Sequence, residues 1–287
     1  MEITILLQTL INGLSSASMY VLMAIGLTYV FSIMRIINFA HGEILMLGGY
    51  VIFLFVGLWG LNYYLSLILS LLIVGIIGMF FERFLFRPRR GEDLNLLVLS
   101  VGLGITLQGL ALIIFTPEDR GIEHVLSGVF MFRGLYLSKM RLLSFVIAAV
   151  FIAGSQLFLK RTKAGIALQG VSQDLEAASL QGINVNRYIS LSFGVGCALA
   201  AVAGSLLAPI FTVSPFMGHG PVVKAFIIII LGGLGSMMGA MVGGLILGIV
   251  ESFGATYMGA TIQEISGFVL LLLILIVKPT GIFGEPE

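Results

Sequence analysis

The sequence predicts an all-α polytopic membrane protein with about seven to nine transmembrane helices. Hydrophobic residues make up 59% of the 287 residues and charged residues only 10%, whereas roughly one quarter of the residues in a soluble domain are charged. The charges are clustered, which leaves long windows without any charge: 3–34, 44–81, 94–117, 142–159, 188–223 and 225–250. Apolar runs of this length, without alternation of polar and apolar residues, favour helices over an outer-membrane barrel. A soluble fold is thereby excluded.

The individual spans follow from these windows and from the roughly 20 residues that a helix needs to cross a bilayer. The window 44–81 is too long for one helix, and the segment 57–62 supplies a turn within it. Three prolines interrupt 209–221, so a broken or re-entrant element is expected near 209–236. The expected spans are 4–32, 44–58, 62–82, 94–115, 141–159, 188–208, a region at 222–251, and 262–278.

Positively charged residues predict how the chain is oriented. They cluster at 83–90, at 160–163, at Arg187 and at Lys278, and loops rich in Lys and Arg face the cytoplasm. The loop 116–141 is nearly balanced in charge and lies on the opposite side. This places the N-terminus outside and the C-terminus in the cytoplasm, which requires an odd number of crossings. Seven crossings are expected if 222–251 is re-entrant, and nine if it crosses twice.

Small residues recur every four positions in the last third of the chain. Within a bilayer, helices associate through close backbone approach at small residues rather than through the hydrophobic effect. The pattern is typical of either a static helix bundle or an interface that slides, and the spacing alone does not separate these two interpretations. The predicted packing positions are Gly196, Gly204, Gly235, Gly239 and Gly243.

A short polar segment lies between the first two apolar windows and contains Arg35, Asn38, His41 and Glu43. A charge at mid-depth would cost about 2.5–3.5 kcal/mol. The segment is therefore either an interfacial loop, with Arg35 reaching towards the surface, or a polar wall in which Asn38, His41 and Glu43 line a translocation path. No metal site is predicted, because no second histidine follows His41 at helical spacing.

Two acidic residues, Glu251 and Glu264, bracket a turn near the C-terminus. No third acidic residue with a matching position is evident nearby. We expect a solvated hairpin at this position rather than a proton relay.

The segment 160–187 is a polar island in an otherwise apolar chain. Asp174 and Glu176 favour the first turn of a short helix within 174–184, and Gly182 favours its end. The apolar positions of this helix are Leu175, Ala178, Leu180 and Ile183. Such a helix could enter a groove on a partner protein or lie free in solvent. Since the chain has no G-x-x-x-x-G-K-[ST] phosphate loop, any ATP must bind elsewhere.

Two sets of residues resemble a known family. Glu176-Ala177-Ala178, followed after three residues by Gly182, resembles the coupling-loop motif of ABC importer permeases, although Ser192-Phe193-Gly194-Val195 replaces the usual Ile-x-Leu-Pro tail. The run Asn38-Phe39-Ala40-His41-Gly42-Glu43 resembles the branched-chain amino acid permeases of the LivH type, and so does Gly232-Gly233-Leu234-Gly235-Ser236. The resemblance extends over nearly the whole chain.

The resemblance implies a single transmembrane permease domain over 1–287, with a cytoplasmic coupling loop at 160–187. It implies a transport subunit rather than an enzyme, located in a prokaryotic cytoplasmic membrane and carrying branched-chain or other hydrophobic amino acids. Its expected partners are cytoplasmic ATPase subunits, a second related permease and an extracytoplasmic binding protein, without nucleic acid. ATP and Mg²⁺ are expected on the ATPase, and no cofactor on this chain. The residues expected to contact the ATPase are Asp174, Glu176, Ala177, Ala178 and Gly182.

Three other functions stay open on the sequence alone. A urea or short-amide permease resembles the same framework. An ATP-independent channel or secondary transporter would need coupling carboxylates, for which Glu43, Glu251 and Glu264 are the candidates. An integral-membrane enzyme would need a catalytic cluster, and the sequence shows none.

Overall fold

Helices dominate the computed structural model of the protein, which describes residues 2–122, 125–126, 128–132 and 134–284. A small antiparallel hairpin of β1 (Val129–Phe132) and β2 (Leu135–Ser138) precedes α5. Shorter π and 3-10 turns extend α2 at Phe53–Leu58 and α3 at Glu82–Arg89. The α-helices are α1 (Glu2–Met34), α2 (His41–Ile52), α3 (Tyr63–Phe81), α4 (Asp93–Phe115), α5 (Lys139–Arg161), α6 (Lys163–Gln173), α7 (Leu175–Leu180), α8 (Val185–Leu207), α9 (His219–Gly232), α10 (Met237–Met258) and α11 (Ala260–Val277).

The predicted membrane fold is confirmed. Within the described ranges, eight helices are long and apolar enough to cross a membrane. They are Ile3–Met34, His41–Leu58, Tyr63–Arg89, Asp93–Phe115, Lys139–Arg161, Val185–Leu207, Met237–Met258 and Ala260–Val277. Seven of these helices agree closely with the spans expected from hydropathy, whereas the expected region 222–251 is divided between α9 and the span Met237–Met258. The β-hairpin and α6 were not predicted.

Two groups of helices run in opposite directions. The first half of α1 packs against α10 in antiparallel fashion, so that Ala17 faces Gly248 and Val21 faces Gly244. The second half of α1 packs against α8, also antiparallel, with Gly26 against Gly196. Because α8 and α10 are both antiparallel to α1, they run in the same direction. The segment between them must therefore return across the bundle once.

This return is made by a broken element at 208–232. Its helical part, α9, has 14 residues and is about 21 Å long at 1.5 Å per residue, less than the roughly 30 Å of bilayer hydrocarbon. The irregular part is fixed at Val213, whose N–H donates to the carbonyl of Arg120 at 2.8 Å and whose carbonyl accepts from the Arg120 N–H at 2.9 Å. The broken element expected near 209–236 is thus present. Together with the eight long helices it gives nine crossings over the described residues.

The polar segment 35–43 is not an interfacial loop. After α1 ends at Met34, the chain turns back through Arg35, which has a positive φ of 52°, and α2 begins beside the middle of α1. The Nε2 atom of His41 lies 3.2 Å from the carbonyl oxygen of Met23, which is about 16 Å from the end of α1 at 1.5 Å per residue. The first turn of α2 is therefore inside the bundle.

Four of the five glycines predicted to pack helices lie at helix contacts. Gly196 faces Gly26, Gly204 covers the carbonyl of Leu45, Gly239 faces Gly232, and Gly243 lies against Ile228. Gly235 differs, because it lies in the turn between α9 and α10 with φ of +80° and has no neighbour closer than 3.9 Å to an added Cβ. Its role is to form the turn, so its assignment as a packing residue was wrong. The four-residue spacing of Gly235, Gly239 and Gly243 starts in the turn before α10, and the sequence did not show that α10 begins only at Met237.

Candidate functional site

The first turns of α2 and α9 meet inside the bundle and carry a group of polar side chains. We call this group the polar centre; it consists of Asn38, His41, Glu43, Gln108 and His219. Three of its members are buried, with Asn38 2% exposed, His41 fully buried and Glu43 7% exposed. The two helices touch at Gly42 and Gly218, where a methyl group added to Gly42 would lie 2.6 Å from the Gly218 carbonyl oxygen. Only glycine allows this approach.

Some polar contacts of the centre are made within the protein. The Ala40 N–H donates to Oδ1 of Asn38 at 3.1 Å, which forms the turn before α2. Oε1 of Glu43 lies 3.6 Å from Nε2 of His219, and that same nitrogen lies 3.1 Å from Nε2 of Gln108. The Glu43 carboxylate also lies in the first turn of α2, where the helix dipole favours a negative charge.

Other polar atoms of the centre have no partner among the described residues. They are Nδ2 of Asn38, Nδ1 of His41 and Oε2 of Glu43. An unsatisfied buried polar group costs about 1–3 kcal/mol. The side chain of His219 is 58% exposed and Gln108 is also accessible, so the centre opens between α4 and α9. It offers a carboxylate acceptor and an amide donor to a polar solute or to water.

A second buried charged group lies next along α9. Nζ of Lys224 donates to Oε2 of Glu251 at 2.6 Å and to the Tyr20 hydroxyl at 2.7 Å, and the Tyr20 hydroxyl donates to the same Glu251 oxygen at 2.8 Å. Glu251 is 2% exposed. The prediction of a solvated hairpin at Glu251 was therefore wrong. The signal in the sequence was that Lys224 and Glu251 are single charges in adjacent apolar helices, where each needs a counter-ion.

The short helix expected within 174–184 is present as α7. Oδ1 of Asp174 accepts hydrogen bonds from the N–H groups of Glu176 at 2.9 Å and Ala177 at 3.0 Å, which caps the helix. Gly182 has φ of +80° and ends it, since this left-handed conformation favours glycine. Ala178 is the buried side of α7, whereas Leu180 is 86% exposed.

The exposed side of α7 is continuous with α8. The Ile183 N–H donates to the Ala178 carbonyl at 3.1 Å, and Asn184 caps α8 through the Arg187 N–H at 3.2 Å. Hydrogen bonds therefore connect α7 to the residues that begin α8. Asp174, Glu176, Ala177 and Gly182 are exposed together at α7, whereas Ala178 lies on its buried side. Asn38, His41 and Glu43 lie together in the polar centre, which is a separate site. Gln108, His219, Tyr20 and Lys224 were not proposed as site residues from the sequence.

The known proteins to which this chain is similar are all described as transport permeases. Residues 9–278 match the family described as branched-chain amino acid transport system / permease component. The high-affinity branched-chain amino acid transport system permease protein BraD of Pseudomonas aeruginosa is 39% identical over 301 residues, covering 100% of this chain and 98% of BraD. LivH of Escherichia coli, with the same description, is 34% identical over 98% of this chain and 96% of its own length. The fructose import permease protein FrcC of Rhizobium meliloti is 34% identical over 42% of this chain and 35% of FrcC. No solved structure matches the chain significantly.

Proposed function

Since the chain belongs to the branched-chain amino acid transport permease family, we propose that it is the membrane-spanning subunit of an ABC importer for branched-chain or other hydrophobic amino acids. An extracytoplasmic binding protein delivers the amino acid, and cytoplasmic ATPase subunits bind ATP and Mg²⁺ and supply the energy. A second related permease completes the path. The N-terminus lies outside and the C-terminus in the cytoplasm of a prokaryotic cell, in keeping with the arginines near the end of α3 and the lysines and arginines at 160–163.

The observation that carries this proposal is the polar centre. A branched-chain amino acid is a zwitterion with an apolar side chain. Glu43 can accept hydrogen bonds from the ammonium group, and Nδ2 of Asn38, which has no partner among the described residues, can donate to the carboxylate. A buried group hydrogen-bonded in this way selects strongly for a solute with the matching polar atoms. Asn38, His41 and Glu43 thus form part of the translocation path.

The glycine contacts around the polar centre support movement between outward- and inward-facing states. Gly42 of α2 touches Gly218 at the start of α9, and α8 contacts α2 where Gly48 lies against Ala201. A displacement of α7 by the ATPase can therefore reach α2 through α8. Asp174, Glu176, Ala177 and Gly182 act as the coupling surface in this mechanism, and the buried Ala178 holds α7 against the bundle.

The Glu43→Gln variant tests the role of the polar centre. In liposomes containing the full importer and its binding protein, we expect leucine uptake to fall about thirtyfold, because a hydrogen bond to a charged group contributes roughly 2 kcal/mol. Radioactive leucine uptake with ATP inside the liposomes measures the effect. Glu264→Gln is the matched control, since Glu264 is exposed on α11, and it should transport normally.

Three results would contradict the proposal. Full leucine uptake by Glu43→Gln would remove the polar centre from the path. Uptake of urea in preference to leucine by the wild-type complex would indicate the short-amide permease instead. Uptake without ATP would indicate a channel or a secondary transporter.

A further inference from the structure

A cavity of about 650 Å³ lies between the end of α3 and the start of α8, far along the chain from the polar centre. Its volume is within the range of roughly 300–1,000 Å³ that is typical of small-ligand sites. The lining residues are Met79, Arg83, Arg87, Asn184, Asn186, Arg187, Ser190 and Leu191. The proposed transport path does not include this cavity.

The charge of the cavity is positive. Three arginines line it, and none of its described lining residues is acidic. The carboxylate of Glu82, which accepts a hydrogen bond from the lining residue Ser190, is fully buried and is paired with Arg87 at 3.0 Å and with Arg90. Arg83 and Arg187 are exposed and have no such carboxylate among the described ion pairs. Two positive charges therefore remain available to an anion.

The wall beneath these charges is held rigidly. Arg87 Nη2 donates to the Asn186 carbonyl at 3.3 Å and to the Ser190 hydroxyl, while Arg90 Nη1 donates to Oδ1 of Asn186 at 2.6 Å. These bonds join the end of α3 to the first turns of α8. The cavity wall on which Arg83 and Arg187 stand therefore keeps its shape when an anion enters.

The surface next to the cavity is apolar and exposed. Ile76, Phe80 and Phe84 follow one another at helical spacing on α3 and are 60%, 53% and 58% exposed. The guanidinium of Arg83 lies 5.8 Å from the centre of the Phe84 ring. A cationic cavity that continues into an apolar stripe on a membrane-spanning helix matches a molecule with a phosphate and acyl chains. A free phosphate ion would leave the stripe uncovered.

We propose that this cavity binds the headgroup phosphate of an anionic phospholipid, with Arg83 and Arg187 as its principal contacts and the acyl chains along Ile76, Phe80 and Phe84. Basic pockets between transmembrane helices are suited to such headgroups. The lipid contacts both α3 and the start of α8, and the contacted part of α8 begins only a few residues after the end of α7. Its presence therefore stiffens the helix that receives force from the coupling surface, and transport depends on anionic lipid.

The test uses the full-length chain in nanodiscs that contain phosphatidylglycerol and phosphatidylcholine in varied proportion. Native mass spectrometry after release into detergent measures which lipid stays bound. We expect phosphatidylglycerol to be retained by the wild type, and its retention to fall about fivefold in Arg83→Gln and again in Arg187→Gln, since each arginine near an anionic headgroup has an effect of that size. Arg83→Lys and Arg187→Lys should restore part of the retention.

Arg89→Gln is the matched control, because Arg89 is exposed on the same segment but does not line the cavity. Equal retention of the two lipids by the wild type would overturn the proposal without any variant. Displacement of phosphatidylglycerol by millimolar inorganic phosphate would show a free-anion site instead. A second purification, with the ATPase subunits co-expressed, tests for a protein contact: if Arg83→Gln and Arg187→Gln lose the ATPase but keep the lipid, the cavity is a protein-docking surface and the lipid assignment is wrong.

Discussion

At the scale of single residues, Lys224 and Glu251 form an ion pair in which Glu251 is buried and both side chains also bond to the Tyr20 hydroxyl. Lys224→Met would leave the Glu251 carboxylate, which is 2% exposed, with only the Tyr20 hydroxyl. We expect the folded state to lose about 3 kcal/mol, because removing one partner of a buried pair leaves an uncompensated charge. The reaction of a thiol-specific dye with Cys197, which is fully buried, measures unfolding on heating.

The double variant Lys224→Met/Glu251→Leu separates pairing from packing. It removes both charges, so it should recover most of the lost stability. Lys160→Met, at an exposed position near the end of α5, should unfold like the wild type. Equal destabilisation in the single and double variants would show that Lys224 contributes by its shape rather than by its charge.

The polar residues were only partly predictable from the sequence. Asn38, His41 and Glu43 were identifiable because they are polar residues between two apolar windows. His219, Gln108 and Tyr20 were not, because each becomes significant only through a contact with a residue far away in the chain, such as the approach of His219 to Glu43. Sequence spacing contains no information on such contacts unless the helix pairing is already known.

At the scale of elements, Gly182 provides a test of the coupling helix. Gly182 has φ of +80° and nothing within 4 Å of an added Cβ, so alanine there meets no steric obstacle and suffers only the backbone cost of about 1–2 kcal/mol. We expect Gly182→Ala to reduce ATP hydrolysis stimulated by the loaded binding protein about fivefold or more, without affecting membrane insertion. ATPase assays on the reconstituted importer measure this.

Gly170→Ala is the matched glycine control. Gly170 is in α6, also with nothing within 4 Å of an added Cβ but with an ordinary helical φ, so alanine should be tolerated there. If Gly182→Ala shows normal ATP hydrolysis in response to the loaded binding protein, the assignment of α7 as the coupling helix is wrong.

The elements themselves were largely predictable, and the exceptions have a physical cause. Long apolar helices are specified by their own composition, which is why α4 and α8 agree with the expected spans. The hairpin of β1 and β2 depends on contact with α1, where Gln8 exchanges two hydrogen bonds with the Tyr136 backbone at 2.8 and 2.9 Å. A two-stranded hairpin is marginally stable by itself, so its local sequence gives a weak signal.

At the scale of the whole molecule, the two sets of antiparallel contacts form an inverted arrangement. α1 pairs with α10 and α8 pairs with α3, while the shorter α2 and α9 begin beside each other at Gly42 and Gly218. Such inverted units are common in transporters, with binding sites at their interface. The sequence shows no internal repeat, because related helices need to share only their packing, not their residues.

The proposed orientation, with the loop after α4 outside and α7 in the cytoplasm, predicts a definite labelling pattern in intact cells. A membrane-impermeant maleimide should label Glu118→Cys, which lies in the loop after α4, but should label Gln181→Cys only after the membrane is permeabilised. Both native positions are exposed. Cys197, which is fully buried, is the only native cysteine and should remain unlabelled. Labelling of both variants in intact cells would contradict the crossing of the membrane by α5 (Lys139–Arg161).

The ion pair between α9 and α10 also has a consequence for biosynthesis. Lys224 leaves the ribosome 27 residues before Glu251, and α9 with its 14 residues is too short and carries a charge too costly to partition into lipid alone. We therefore expect α9 to stay at the insertion machinery until α10 has been synthesised, and the two helices to enter the bilayer together as one hairpin. We expect a nascent chain stopped between them to leave α9 outside the lipid, because α9 and α10 insert as a pair rather than one after the other.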